Sequence, residues 1–411
     1  MLDINLIREK TEEIEKALEK RGFVVDFKKI IKLDDYRRKM IAKNEELKAE
    51  RNKFSKSKPD VQIIKRMRSL GKEIKDSDAN LFIAQSELDG ALSALPNIVA
   101  DDVVTGGKEN NQIIKTFKNK PSFDFAVKNH VDLATSLGLI DYERAAKMSG
   151  AGFWAYTGDG ALLEWALLSY FIDYHRKNNY TFIIPPFLLT EKSAYTSGHL
   201  PKFRDDLFWT QDKLCLNATS EMMLGNFHRD EMLDIKNLPL KYYAFSTCFR
   251  REAGSYRAEE RGMIRGHQFN KIEMFQFTKP DDSWSAFDEL LKHAEKLVEG
   301  LDLHYTSVKL AAGDCSAAMA KTVDIEVWIP SMNTYKEVSS VSNALDYQAR
   351  RGNTRFKDSD GKNKFVHTLN ASGLATSRIL PAILEQNQQA DGSVKVPKVL
   401  QKYMNKKVLK K

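Results

Sequence analysis

The chain has 411 residues, of which 42% are hydrophobic, 10% aromatic and 29% charged, and its net charge is +8. This length predicts two or three domains, and the composition excludes wholesale disorder and low complexity. No apolar run reaches the roughly 18 residues of a membrane span, so we expect a cytoplasmic protein. The three cysteines, Cys215, Cys248 and Cys315, lie too far apart for a disulfide framework, and we expect buried thiols.

The positive charge is concentrated in residues 28–75, which carry 17 Lys and Arg against 7 Asp and Glu. Two series of residues at alternating steps of three and four run through this region, one on each side of Pro59, and the second ends at Pro96. This spacing predicts two long helices that pair as an antiparallel coiled-coil hairpin, an arm over residues 28–95. The two series are Ile30, Leu33, Arg37, Met40, Asn44, Leu47, Arg51 and Phe54, and then Met67, Leu70, Ile74, Ser77, Leu81, Ala84, Leu88, Ala91 and Leu95.

The charge of this arm has two interpretations. A structural coiled coil with a solvated basic face accounts for it without any partner. A rigid basic rod also suits a phosphate backbone, which favours a polyanion partner, although charge does not distinguish RNA from DNA. A second basic stretch, residues 395–411, has seven lysines and no acid, and we expect a frayed, solvated tail there.

Differences in composition and hydrophobic periodicity divide the chain into three segments. We assign residues 1–100 to an N-terminal helical domain, residues 101–122 to a linker without sustained periodicity, and residues 123–411 to a larger domain. In the larger domain, β-branched and aromatic runs cluster instead of alternating regularly with helices, which predicts an α+β fold with an antiparallel sheet. The runs are residues 182–184, 242–245 and 272–277, and the predicted helices are residues 164–177 and 281–299.

Three sequence motifs follow one another in the larger domain, with shorter pieces between them. The motifs are residues 177–186, residues 248–255 with 265–273, and residues 368–378, and the shorter pieces are residues 197–203, 219–221, 313–314, 337–343 and 346–351. Together they resemble the seryl-tRNA synthetases of the bacterial type, a family of class II aminoacyl-tRNA synthetases, almost from end to end. The resemblance implies a class II antiparallel-sheet catalytic domain, a homodimer formed through the first motif, and an arm that binds serine tRNA and not DNA or a membrane.

The resemblance also implies a serine–tRNA ligase reaction. L-serine and ATP would form seryl-adenylate, and the seryl group would pass to the 3′ end of serine tRNA, with selenocysteine tRNA left open as a second substrate. Because the attacking serine carboxylate is already ionised at neutral pH, catalysis needs positioning and charge neutralisation more than a strong base.

The ATP site implied by the resemblance centres on two catalytic arginines. Arg250 would contact the α-phosphate, and Arg378 would stack on adenine opposite Phe269 and lie near the γ-phosphate. Glu337 and Ser340 would supply oxygen ligands to a Mg²⁺ ion that bridges the phosphates. The other implied members of the ATP site are Arg251, Glu252, Arg265, Val338 and Ser339.

The serine site implied by the resemblance consists of Thr219, Ser220, Glu221, Glu273 and Ser372. Glu221 and Thr219 would receive the α-amino group, and Glu273 and Ser372 would receive the side-chain hydroxyl. A buried carboxylate that awaits a hydroxyl donor is left unpaired when alanine binds, so such a site discriminates strongly against alanine.

Two rival interpretations stay open. A ligase that loads an amino acid onto a carrier protein would resemble the catalytic domain but lack the arm. A paralogue that retained only RNA binding would be expected to have lost Arg250, Glu337 or Arg378, and all three are present.

Overall fold

The computed structural model describes residues 1–56, 60–253 and 262–411. These residues form two compact units, Met1–Ile98 and Val99–Lys411. In the part of the chain that is described, no helix is both long and apolar enough to cross a bilayer. Two parts of the sequence patterns lie outside the described residues, namely the helix break at residues 57–59 and the end of the second motif at Ser255.

The first unit is built from four helices, and the last two form the predicted arm. The Asp26 side chain accepts a hydrogen bond from the Lys28 amide, and the Asp60 side chain accepts one from the Ile63 amide. Each aspartate therefore caps the start of one long helix. The prediction of two long helices that end before Pro96 is confirmed. The helices are α1 (Ile4–Glu9), α2 (Thr11–Glu19), α3 (Phe27–Phe54) and α4 (Val61–Ser93).

Apolar and polar contacts both join α3 to α4. Leu47, Leu70 and Ile74 are buried together between the two helices. Asn44, at a predicted pairing position, is also buried, and its Nδ2 atom donates to Asp78 Oδ1 at 2.5 Å. Asp78 is exposed, so this bond joins a buried amide on α3 to the rim of α4. A polar residue at a pairing position favours one register of two helices at some cost in stability, and here Asn44 Oδ1 is buried without a partner in the described structure.

The second unit contains 17 strands and nine further helices within the residues that the structure describes. Its helices are α5 (His130–Ser136), α6 (Tyr142–Ser149), α7 (Asp159–Lys177), α8 (Glu191–Thr196), α9 (Glu221–Leu224), α10 (Ser283–Gly300), α11 (Tyr347–Gly352), α12 (Thr376–Gln386) and α13 (Gln401–Met404). Its strands are β1 (Gln112–Phe117), β2 (Ile140–Asp141), β3 (Ala155–Tyr156), β4 (Thr181–Ile183), β5 (Leu188–Thr190), β6 (Leu214–Leu216), β7 (Met232–Leu233), β8 (Leu240–Phe249), β9 (Gln268–Thr278), β10 (Tyr305–Lys309), β11 (Lys321–Ile329), β12 (Thr334–Leu345), β13 (Arg355–Lys357), β14 (Asn363–Phe365), β15 (His367–Ala375), β16 (Val394–Lys395) and β17 (Val408–Leu409).

An eight-stranded sheet organises this unit, in the order β1-β10-β11-β12-β15-β9-β8-β4. Every neighbouring pair is antiparallel except β4 and β8, which are parallel. Ile272 and Met274 of β9 and Leu369 of β15 pack into a core with residues of α7, α10 and α12. Because side chains alternate between the faces of a strand, residues 271 and 273 of β9 lie on the opposite face. The predicted α+β class with an antiparallel sheet is confirmed.

The predicted linker differs from the structure. The second unit already begins at Val99, and β1, which lies within residues 101–122, pairs with β10 at the edge of the sheet. Lys115 of β1 forms ion pairs with Glu295 at 2.7 Å and Glu299 at 2.9 Å. An edge strand with mostly exposed side chains carries little hydrophobic signal, which explains why its sequence resembles a linker.

The lysine-rich C-terminus is also more ordered than expected. Strand β17 pairs with β16, and Leu409 is 1% exposed. Lys406 Nζ lies 2.6 Å from both carboxylate oxygens of Asp159, at the start of α7. The expectation of a frayed tail is therefore wrong, because apolar residues between the lysines anchor the segment. The expectation for Cys215, Cys248 and Cys315 is confirmed, since all three thiols are buried.

Candidate active site

The middle of the sheet presents polar side chains on the face opposite the helices. Phe269, Lys271 and Glu273 occupy alternate positions of β9 and so point to the same side. Glu273 stands opposite Ser372 of β15 in the sheet register. Arg250 directly follows β8, the other neighbour of β9. Three neighbouring strands thus bring residues of the second and third motifs together.

Glu273 is the centre of a buried hydrogen-bond network and is 1% exposed. Its Oε1 atom accepts from Asn370 Nδ2 at 3.3 Å. Its Oε2 atom accepts from Ser372 Oγ at 3.4 Å and from Thr219 Oγ1 at 3.5 Å, and it forms a close ion pair with Lys271. Lys271 Nζ also donates to Thr219 Oγ1 at 2.7 Å. The network fixes one carboxylate among several hydroxyl groups.

Glu221 lies beside this network, at the first position of α9. Its Oε1 atom accepts from Gln348 Nε2 at 2.6 Å, and Gln348 Oε1 in turn accepts from Thr368 Oγ1 at 2.7 Å. Burial, with a further contribution from the nearby Glu273 carboxylate, raises the pKa of Glu221 to about 7. A buried acid that titrates near neutrality would be stabilised in its charged form by a cationic ligand.

Ser220 takes a different position from its neighbours in the sequence. It is fully buried, and its hydroxyl donates to Ser246 Oγ of β8 at 2.7 Å. Thr219 and Glu221, in contrast, contact the Glu273 network and Gln348. The structure therefore brings together four of the five predicted serine-site side chains, and it places the Ser220 hydroxyl in a hydrogen bond to the sheet.

Arg250 and Arg378 line a common cleft, together with Phe269, Glu337 and Ser372. The guanidinium carbon of Arg250 lies 5.2 Å from the centre of the Phe269 ring, a cation–π arrangement. Arg378 Nη1 donates to the main-chain oxygen of Glu337 at 2.8 Å and lies 3.4 Å from its carboxylate Oε2. The predicted convergence of two arginines, an aromatic ring and an acid on one cavity is thus present in the geometry.

Arg265 and Glu252 also line this cleft, and they form an ion pair at 2.9 Å. Arg251, in contrast, is exposed, and its guanidinium donates to the main-chain oxygen of Asp205 at 3.0 Å. The structure directs Arg251 towards this neighbouring loop, whereas Arg265 and Glu252 face the cleft.

A β-bulge in β12 determines which face of the sheet Glu337 and Ser340, the predicted magnesium ligands, occupy. Ser339 pairs with Ile325 and Glu337 pairs with Glu326, so Val338 is an extra residue in the ladder. Regular alternation would place Glu337 and Ser340 on opposite faces, but the bulge lets both line one cavity of about 900 Å³.

The two residues beside the bulge have different environments. Val338 borders the cleft, although it is only 2% exposed and its side chain belongs to the core. Ser339 is buried, and its hydroxyl donates to the main-chain oxygen of Ser372 at 2.7 Å. This bond ties β12 to the strand that carries the Glu273 network.

The donors around Glu337 fit a magnesium ion. Glu337 and Ser340 offer oxygen atoms, and Asp324 pairs with Ser340 across β11 and β12. Burial, followed by the charge of Glu337, raises the pKa of Asp324 well above its ordinary value, and its Oδ1 atom is buried without a partner in the described structure. No group of three or more His, Cys, Asp and Glu side chains is arranged around a metal within the described residues.

Sequence reasoning assigned no role to four residues of this site: Lys271, Gln348, Asn370 and Asp324. The sequence did contain a signal for Lys271, because two-residue alternation from Phe269 to Glu273 places its side chain on the same face of the strand as theirs. Gln348, Asn370 and Asp324 reach the site from α11, β15 and β11, and only the assembled sheet brings these elements together.

An antiparallel sheet with two arginines, Arg250 and Arg378, at one cleft is the arrangement expected of a class II aminoacyl-tRNA synthetase. Residues 203–387 match the "tRNA synthetase class II core domain (G, H, P, S and T)", and residues 1–99 match the "Seryl-tRNA synthetase N-terminal domain". The chain belongs to the seryl-tRNA synthetase family.

Individual relatives are similar to this chain over almost its whole length. Serine–tRNA ligase 2 of Clostridium acetobutylicum is 53% identical over 99% of each chain. Serine–tRNA ligase of Petrotoga mobilis is 45% identical over the full length of both. Among solved structures, seryl-tRNA synthetase from Pyrococcus horikoshii, complexed with ATP, is 34% identical, with a TM-score of 0.90 over 100% of this chain and 99% of that chain. The expected resemblance is confirmed in both units.

Proposed function

We propose that this cleft activates L-serine with ATP and transfers the seryl group to the 3′ end of serine tRNA. The observation that carries the proposal is that Arg250, Phe269 and Arg378 line one cleft with Ser372, whose hydroxyl donates to the buried acid Glu273. Such an arrangement suits a reaction between a polyphosphate and a small zwitterion that carries a hydroxyl group.

The arginines and the ring would hold the nucleotide. Adenine would stack between Phe269 and the guanidinium of Arg378, and Arg250 would neutralise the charge that develops on the α-phosphate. Glu337 and Ser340 would hold Mg²⁺, which, when bound, supplies charge neutralisation to the phosphates. Of the remaining predicted ATP-site residues, Arg265 would contact the terminal phosphates and Glu252 would orient the base.

The two acids would recognise serine from opposite ends. Glu221 would pair with the α-ammonium group, and the positive charge of that group would favour the ionised form of a carboxyl whose pKa burial raises to about 7. Glu273 would accept the hydrogen bond of the serine hydroxyl, with Ser372 and Thr219 completing the polar lining. Lys271 would neutralise the charge of Glu273 and hold its carboxylate in place.

The arm would bind the tRNA. Lys39, Lys43, Arg68 and Lys72 are exposed on α3 and α4, within the segment that carries the excess of positive charge. A row of exposed cations along two rigid helices suits a phosphate backbone. The carrier-protein rival does not account for such an arm.

A second copy of the chain would cover the β4 edge of the sheet. Strand β4 is bonded to β8 on one side only, and apolar side chains are exposed near it. Trp165 is 61% exposed and Ile184 is 71% exposed, which is unusual for such large apolar residues. Sedimentation of the protein and of a Trp165→Asp variant tests this dimer, with a smaller species expected for the variant.

Serine-dependent exchange between ATP and pyrophosphate tests the proposed function. We expect exchange with serine and much less with alanine, threonine or glycine. Charging of serine tRNA and of selenocysteine tRNA, by the whole protein and by a variant without the α3–α4 hairpin, then tests the arm. Absence of exchange with serine would refute the amino-acid assignment, and charging that is unaffected by loss of the hairpin would refute the role of the arm.

A further inference from the structure

Strand β15 contains a β-bulge directly after Ser372 of the proposed serine site. Ser372 pairs with Glu273 of β9, and Ala375 pairs with Lys271, so the two residues between them stand opposite a single residue of β9. Regular alternation would place Ser372 and Ala375 on opposite faces of the strand, but the bulge lets both line the cleft. The direction of the Ser372 side chain therefore depends on the conformation of this bulge.

Side chains of other elements bind the main-chain oxygens at this bulge. Ser339 Oγ donates to the Ser372 oxygen at 2.7 Å, and His175 Nε2 lies 2.9 Å from the Gly373 oxygen. His175 belongs to α7 and is fully buried. A bulge disrupts the regular ladder, and a buried carbonyl group needs a donor from elsewhere. An imidazole from the helix that packs on the sheet is such a donor.

The position of the proton on His175 follows from its two partners. Burial, and then the charge of His293, lowers the pKa of His175 to about 3, so the ring is neutral and carries one proton at physiological pH. Because a carbonyl oxygen can only accept, Nε2 carries this proton and donates to the Gly373 oxygen. Nδ1 therefore accepts, and its donor is His293 Nε2 of α10 at 2.9 Å. Two helices thus support the bulge through one chain of hydrogen bonds.

Gly373 leaves the space that the imidazole occupies. A Cβ atom at this position would lie 2.7 Å from His175 Cε1 and 3.4 Å from Met274 Cγ. The first distance is well inside the separation of about 3.5–4.0 Å at which non-bonded carbon atoms attract each other. The ring can therefore reach the Gly373 oxygen only because this residue has no side chain.

The other side of the bulge is held by a different residue of α7. Glu164 accepts from Thr376 Oγ1 at 2.6 Å, at the start of the helix that carries Arg378. Glu164 and His175 lie about three turns apart on α7 and so face the same side of the helix. One helix therefore holds the chain on both sides of the bulge. Loss of the His175 contact leaves the contact nearer to Arg378 in place.

We infer that His175 is a positioning residue of the serine site, whose hydrogen bond to the Gly373 oxygen holds the bulge in the conformation that directs Ser372 Oγ towards Glu273. The inference rests on the proposed function, because it concerns how the proposed serine pocket keeps its shape. His175 is buried beneath the sheet and acts through the main chain, whereas Ser372 borders the cleft itself.

Serine-dependent exchange between ATP and pyrophosphate, measured with variants at position 175, tests the inference. His175→Leu removes the donor, and we expect the KM for serine to rise on the order of tenfold, which corresponds to one buried polar group left unsatisfied. We expect its KM for ATP to stay within about twofold of the original value. His175→Gln retains an amide donor that can take the place of Nε2, and we expect it to restore most of the affinity for serine.

His228 offers a matched control on the same sheet. Its ring packs on Tyr242 of β8, as the ring of His175 packs on the neighbouring Tyr243. Its nitrogens lie near Glu231 and the Tyr242 hydroxyl, away from the proposed serine site. We expect His228→Leu to leave both KM values unchanged.

Three outcomes of these assays would overturn the inference. They are an unchanged KM for serine in His175→Leu, equal increases in the KM values for serine and ATP, and a His175→Gln variant that is as impaired as His175→Leu. Failure of the proposed function itself is distinguishable, since the unaltered protein would then show no serine-dependent exchange.

Nuclear magnetic resonance provides a measurement that does not depend on the folding of the leucine variant. Labelling of the eight histidines with ¹⁵N reports which nitrogen of each ring carries the proton. The signal of His175 is the one that is absent from His175→Gln. We expect this signal to show the Nε2–H tautomer at neutral pH and to shift when serine is added. An Nδ1–H tautomer, or a signal that serine does not move, would overturn the inference.

Discussion

Lys271 shows how a single buried cation can organise a binding pocket. Its side chain is largely buried, and it contacts both Glu273 and Thr219. A carboxylate buried without a partner would be strongly disfavoured, so the lysine makes it possible to bury an acid at the proposed serine site. The same pairing directs the free hydrogen-bonding capacity of Glu273 towards the pocket.

Replacing Lys271 with methionine is predicted to raise the KM for serine and to leave the KM for ATP nearly unchanged. The loss of a charge-assisted hydrogen bond, about 1.5–3 kcal/mol, corresponds to a rise of roughly tenfold to a hundredfold. Exchange kinetics at varied serine and ATP concentrations measure both constants. Lys241→Met is the control, because Lys241 pairs with the exposed Glu289 elsewhere on the sheet. An unchanged KM for serine would show that Lys271 only supports the fold.

Glu221 predicts a pH dependence of serine binding. Burial raises its pKa to about 7, so protonation competes with the serine ammonium group below that pH. The KM for serine should therefore rise by up to about tenfold for each pH unit below 7 and level off above it. Exchange assays across this range test the prediction. Glu221→Gln should have a high KM that no longer changes with pH, whereas a flat profile in the original protein would contradict the assignment.

At the level of elements, Glu164 connects three parts of the catalytic unit. It lies on α7, and its Oε1 atom accepts from Thr376 Oγ1 at 2.6 Å and from Asn270 Nδ2 at 2.8 Å. Thr376 begins α12, the helix that carries Arg378, and Asn270 belongs to β9. Helix α7 is therefore bonded to β9 and to α12, which both contribute residues to the cleft.

Burial raises the pKa of Glu164 to about 7, which makes the stability of this unit depend on pH. The folded state favours the protonated acid, so this stabilisation is fully present below about pH 4.5 and is lost as the pH rises through 7. The free energy of unfolding should fall by up to about 3 kcal/mol between these limits. Glu221 and Asp324 of the same unit also have raised pKa values, so Glu164→Gln should remove only the contribution of Glu164 and flatten the profile in part. Glu143→Gln, at an exposed position on α6, should keep the full dependence.

Urea denaturation followed by tryptophan fluorescence measures this effect in the catalytic unit alone. All five tryptophans of the chain lie beyond residue 98, so the signal excludes the arm. Identical pH profiles for the unaltered protein and for Glu164→Gln would contradict the prediction.

The sequence predicted some of these elements and could not predict others. Spacing in steps of three and four was enough for α3 and α4, because two long amphipathic helices depend on local periodicity. Strand β1 was missed, since an edge strand buries few side chains. The common face of Glu337 and Ser340 depends on the bulge at Val338, and period-two alternation predicts the opposite. Glu337 and Ser340 were assigned to one magnesium site from the resemblance to a family. The local sequence pattern alone would have placed them on opposite faces of the strand.

For the whole molecule, the excess of positive charge and the cleft lie in different parts of the chain, which separates the proposed RNA-binding surface from the proposed site of chemistry. The excess of Lys and Arg lies in residues 28–75, within the helical unit, and the cleft lies in the other unit. Electrostatic contacts to phosphates weaken steeply with salt, whereas a buried ion pair such as Lys271–Glu273 is screened much less. Salt should therefore affect the two activities differently.

Neutralising Lys43 and Lys72 together should weaken tRNA binding and make it less sensitive to salt. The slope of log affinity against log salt should decrease by about one for each lost phosphate contact. Filter binding at several salt concentrations measures the slope, and exchange without RNA should stay unchanged. Lys147→Gln with Lys362→Gln is the control, since it removes the same charge from exposed positions of the other unit. Equal slopes for the two double variants would argue against the arm as the RNA-binding surface.

The burial of Cys215, Cys248 and Cys315 has a practical consequence for labelling the protein. A thiol enclosed in a packed interior is shielded from maleimide reagents as long as the surrounding structure stays closed. One cysteine introduced on the surface of the arm should therefore accept a fluorophore without prior removal of the native thiols. Slow labelling of the three native sites would then report how often the catalytic unit opens.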